Sequence, residues 1–70
     1  MSSNVVLTVA RVIRDRSWTT QESSMATELA TELHRQAAAR GLTVQTLTDL
    51  GVVASESGTW ARFTLEATAS

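Results

Sequence analysis

From Asn4 to Ile13 the chain is almost continuously apolar, and its Val and Ile content favours an extended backbone over a helical one. Alternate positions fall into two sets, Val5, Leu7, Val9 and Ile13 on one parity and Val6, Ala10 and Val12 on the other. Both sets are largely apolar, whereas a strand with one solvated face alternates more sharply. The pattern therefore predicts a strand whose sheet is covered on both sides, by the chain's own helix on one and by another subunit on the other.

The period then changes from two to three and four. Met25, Ala26, Leu29, Ala30, Leu33 and Ala37 form an apolar stripe opposite Ser23, Ser24, Thr27, Glu28, Thr31, Glu32 and Arg35, the signature of an amphipathic helix. Thr19-Thr20-Gln21-Glu22 reads as a capping box, with Thr19 as the N-cap and Glu22 reaching back to it. Arg40-Gly41-Leu42 reads as the end, with Gly41 in the left-handed conformation and Leu42 folding back on Ala37. These signals predict a helix from Thr20 to Arg40, with Glu32 and Arg35 as an exposed pair.

Beyond Leu42, residues Thr43 to Thr48 read as a second strand, Asp49-Leu50-Gly51 as a turn or bulge, and Val52 to Ala54 as its continuation. A short helix over Thr43 to Leu50 is the alternative, since Val44, Leu47 and Leu50 lie three apart. Ser55-Glu56-Ser57-Gly58 has the composition of a hairpin connection. Thr59 to Thr68 is the last strand, with Ala61, Phe63, Leu65 and Ala67 on one face and Trp60, Arg62, Thr64, Glu66 and Thr68 on the other. The expected fold is α+β: a three-stranded antiparallel sheet packed on one long helix, in the order strand, helix, strand, strand, over a single domain spanning residues 1–70. Met1 to Ser3 and Thr68 to Ser70 are the candidates for disorder.

This order resembles the dodecins, small proteins that wrap a three-stranded antiparallel sheet round one helix and assemble into hollow dodecamers. The resemblance rests on the Val-rich first strand, Ser17-Trp18 ahead of the helix, Gly51 interrupting the middle strand, Gly58 in the turn, and Phe63-Thr64-Leu65-Glu66 in the last strand. Dodecins hold flavins between tryptophans near the start of the strand after the helix, with a glutamine on the last strand. Thr43 and Arg62 occupy those places here. What the resemblance implies is thus the fold and a tendency to assemble, and not the flavin contacts.

Composition adds little chemistry. A chain of 70 residues buries only about 60% of the surface its unfolded form exposes, and with no Cys and one His it lacks the usual disulfide or metal reinforcement. Association is the expected substitute. Six Arg, no Lys and seven acidic residues give a net charge of −1, which does not attract a polyanion over long range. Ten Ala, eleven Thr and the all-Arg basic set suggest a GC-rich genome, such as that of an actinobacterium or its phage. No span of about 20 apolar residues and no leader pattern is present, so no membrane partner and a cytoplasmic location are expected.

His34 lacks the Glu-x-x-His pattern and reads as structural. Ser17, Ser23 and Ser24 lack a nucleophile elbow, and Glu28 and Glu32 lack the apolar surroundings that raise a carboxyl pKa. No catalytic residue, metal ligand or cofactor is expected. Arg11, Arg14 and Arg16, with Arg62 nearby, could contact phosphate, but Asp15 interrupts them and no nucleic-acid motif accompanies them. Trp18 is expected to close the end of the core and Phe63 to face inward. Val6, Val12, Trp60 and Arg62 are the expected subunit interface, because Trp and Arg are enriched at interface hot spots. The sequence reads as a non-enzymatic homo-oligomeric binding or assembly protein whose partner is itself. The alternatives are a dodecin-like store of flavin or another small planar ligand stacked on Trp60, and a small nucleic-acid-binding accessory factor.

Overall fold

The structure, a computed structural model, describes residues 4–70. Strand β1 (Val5–Ile13) leads into helix α1 (Trp18–Ala39), followed by strands β2 (Val44–Ala54) and β3 (Ala61–Ala69). The strands form one antiparallel sheet in the order β1-β3-β2, and α1 lies across a single face of it. The fold is the expected α+β arrangement. With one helix on one sheet and no third layer, the molecule is 47 Å long and only 15 to 17 Å thick.

The core follows the two periods. Leu7, Val9 and Ile13 from β1 and Ala61, Phe63, Leu65, Ala67 and Ala69 from β3 face Met25, Leu29, Leu33 and Ala37 of α1. Ala26, expected on the buried stripe, is exposed, and Ala30 is only half-buried. The stripe is thus a row of residues four apart. Such a row suffices when a helix meets a narrow sheet rather than nesting among other helices.

Both helix ends show how local chemistry decides boundaries. At the C-terminus, the Gly41 N–H donates to the Ala38 carbonyl at 3.1 Å and the Leu42 N–H to the Ala37 carbonyl at 2.8 Å. With Gly41 at φ 70°, this is a complete Schellman motif, and Leu42 packs against the core. At the N-terminus the expected capping box does not form. The N-cap is Ser17, two residues earlier than Thr19, and its side chain makes no cap bond. Instead the Asp15 carboxylate accepts from the Ser17 N–H at 2.7 Å and from the Ser17 hydroxyl, which also accepts from Gln21 Nε2 at 2.7 Å. The Thr19 hydroxyl donates backwards to the Arg16 carbonyl at 3.4 Å. The aspartate turn organises the entry, so the helix starts before the threonines.

Residues 43–50 are extended, and the short helix considered there is absent. Strand β2 carries one extra residue between Val44 and Thr46 and another between Asp49 and Val52. The second is the bulge expected at Gly51, whose φ is 87° and whose N–H is bound by Asp49 Oδ1 at 2.7 Å. Strand β3 begins at Ala61, so Trp60 precedes it, and it runs through Thr68 to Ala69. The end of the chain is paired rather than disordered: Thr43 and Ser70 exchange two backbone hydrogen bonds and Ala69 is fully buried. Met1 to Ser3 lie outside the described residues.

Candidate functional site

Trp18 is the first residue of α1. Its indole Nε1 donates to the Gly58 carbonyl at 3.1 Å, and its ring meets Phe63 edge-on with centroids 6.4 Å apart. It closes the end of the core, as expected, and ties the helix start to the β2–β3 hairpin.

The far face of the sheet, away from α1, is defined by register. Across β1, β3 and β2 it presents the rows Val6, Thr68 and Thr46; Thr8, Glu66 and Thr48; Ala10 and Thr64 beside the bulge; and Val12, Arg62 and Val53. Trp60 adjoins the last row, held in the hairpin by its carbonyl, which accepts from the Ser55 N–H at 3.0 Å. Its apolar side chains gather at the Val12, Val53 and Trp60 end; the opposite end has Val6 beside Thr46 and Thr68, whose hydroxyls are hydrogen-bonded to each other, and Thr8, Thr48, Thr64 and Glu66 lie between. Val6 is 60% exposed, Val12 46%, Val53 54% and Trp60 41%. All four residues expected at an interface, Val6, Val12, Trp60 and Arg62, are therefore open to solvent on this side. Three of them gather at one end, while Val6 lies at the other.

At the Trp60 end, Val12, Arg14, Thr59, Trp60 and Arg62 line an open depression of about 540 Å³. Neither Arg14 nor Arg62 has a carboxylate within 4.0 Å among the described residues. The arginine cluster divides here. Arg11 falls on the helix side of β1, where its Nη1 pairs with Glu28 Oε2 at 3.2 Å, while Arg14 and Arg16 lie beyond the strand end and share no strand face.

Strand β2 is an outer strand, and every residue of it except Val44 is exposed. Because α1 packs chiefly on β1 and β3, Leu47 and Val52 remain 44% and 39% exposed even though their register partners, Ala67 and Phe63, are buried. Leu50 in the bulge is 52% exposed. These positions escaped sequence reasoning, since nothing in the sequence says that β3 takes the centre of the sheet and leaves β2 outside the helix.

The polar side chains make mostly local bonds. Asp15 is held below its ordinary carboxylate range by the Ser17 hydroxyl and then the Ser17 N–H. Glu32 is lowered by the hydrogen bond from Gln36, and further by Arg35, with which it forms the expected ion pair. His34 is exposed on α1. Among the described residues no three His, Asp or Glu side chains gather as a metal site would require, and no helix is long and apolar enough to cross a membrane.

No family model, curated protein or solved structure matches this chain.

Proposed function

We propose that the chain is a non-enzymatic, self-associating binding or assembly protein, with the far face of the sheet as its principal contact. One observation carries this reading: seven large apolar side chains, Val6, Val12, Leu47, Leu50, Val52, Val53 and Trp60, stand at least 39% exposed on a chain with a single-layer core. Val12, Val53 and Trp60 cluster at one end of the far face, the kind of exposed apolar patch that marks an interaction site, and small chains commonly gain stability by association. Trp60 and Arg62 supply the residue types that anchor interfaces. Since Leu47 and Val52 face the helix side, a contact through the far face alone leaves them open, and the proposed assembly has a second contact through β2. Light scattering on the purified chain tests it: a mass of at least twice 7.5 kDa supports assembly, and 7.5 kDa contradicts it.

The depression at Trp60 favours a second reading, a store for a small planar anion. An exposed indole beside two guanidiniums without carboxylate partners offers a stacking surface and charge together. Stoichiometric quenching of added flavin fluorescence would support this reading, and its absence would leave the assembly function alone.

A further inference from the structure

We infer that two copies pack far face to far face with their β3 strands antiparallel, crossing at Thr64. This inference rests on the self-association proposed above and names its geometry. On the three strands the far face carries two charges, Arg62 and Glu66, one of each sign. They lie on one face of β3, four residues or about 13 Å apart, too far to meet each other. Neither makes an ion pair or side-chain hydrogen bond among the described residues. Thr64 lies midway between them and pairs with Ala10. A two-fold axis between the two sheets, crossing the strands at the level of Ala10 and Thr64, reverses one strand over the other. Arg62 of each copy then stands over Glu66 of its partner, twice by symmetry.

The same operation sets the apolar end of one copy over the threonine-rich end of the other. Residues equally far from Thr64 along β3 exchange places, so the Trp60 level meets the Thr68 level. Val6 pairs with Thr68, so Val6 of one copy lands on the depression formed by Val12, Arg14, Trp60 and Arg62 of the other. The Val12, Val53 and Trp60 end of each copy is thereby covered by the Val6, Thr8, Thr48 and Thr68 end of its partner, twice by symmetry. The small side chains Ala10 and Thr64 at the axis allow the sheets to approach, and Thr8 and Thr48 meet the Val12 and Val53 row. A parallel arrangement would instead set Arg62 on Arg62 and Glu66 on Glu66. Isologous contacts need this self-complementarity, and like charges facing each other across an interface select against the wrong register.

Charge reversal tests the arrangement. Arg62→Glu and Glu66→Arg each convert two attractive pairs into two repulsive ones and should weaken association by roughly tenfold or more. The double variant restores both pairs with their signs exchanged and should return the association constant to within about threefold of the wild type. Sedimentation equilibrium reads both effects, with circular dichroism confirming the fold. Val6→Arg, which sets a further cation against Arg14 in the partner's depression, should also dissociate the pair. A wild-type oligomer that ignores the single reversals, or a double variant no better than the singles, would overturn the antiparallel register while leaving self-association standing. A monomeric wild type would remove both.

Discussion

The Trp18 indole donates to the Gly58 carbonyl across 40 positions of sequence, fastening the first turn of α1 to the hairpin that starts β3. The same ring packs edge-on against Phe63, so one side chain closes the core and fixes the hairpin. Trp18→Phe keeps most of the packing and loses the bond, which should lower stability by about 1 kcal/mol. Trp18→Ala loses both and should cost clearly more. Urea denaturation checks the pair, and equal midpoints for the two variants would show that the ring contributes only through its hydrogen bond.

The helix ends make a paired prediction. At Gly41 an added Cβ would meet no atom within 4 Å, so the cost of Gly41→Ala comes from its φ of 70° alone, about 1 kcal/mol or somewhat more. Thr19 is exposed and caps nothing, so Thr19→Ala should change stability by less than about 0.5 kcal/mol. Similar losses in both variants by thermal denaturation would mean that Thr19 caps the helix after all.

Asp15 and Glu32 both titrate below their ordinary range in the folded chain. A depressed carboxyl stabilises the fold above its unfolded pKa, about 4, and loses that contribution as pH falls through the folded value. Melting temperature should therefore fall on acidification below about pH 4. Asp15→Asn should be less stable than the wild type near neutrality, with the difference shrinking in acid. Parallel pH profiles would contradict the Asp15 turn as the organiser of the helix entry.

Much of this fold was legible because its signals are local. Gly41-Leu42 marked the helix end, Gly51 marked the bulge, and the alternation from Ala61 to Ala67 assigned the buried face, all from backbone or periodicity rules that need no tertiary knowledge. The helix starts earlier than the capping-box sequence at Thr19 indicates, because Asp15, two residues before the N-cap, captures Ser17. The extra residue near Gln45 left no glycine to announce it. The placement of Val6, Val12 and Arg62 on the far face, with Trp60 beside it, was readable from parity. The exposure of Leu47 and Val52 was not, because it follows from strand order and helix placement, which alternation within one strand does not encode.

The central claim is that the open far face of the sheet is an interface, and Trp60 is its largest side chain, 41% exposed in the single chain. The most direct measurement is the solution mass of the wild type and of Trp60→Ala by light scattering over a range of concentrations. The account predicts a wild-type mass of at least twice 7.5 kDa. It also predicts a smaller mass for Trp60→Ala, with a melting temperature that depends more steeply on protein concentration, because folding and association are linked. A wild-type mass of 7.5 kDa, or a Trp60→Ala variant that keeps both the wild-type mass and its melting temperature, would contradict it.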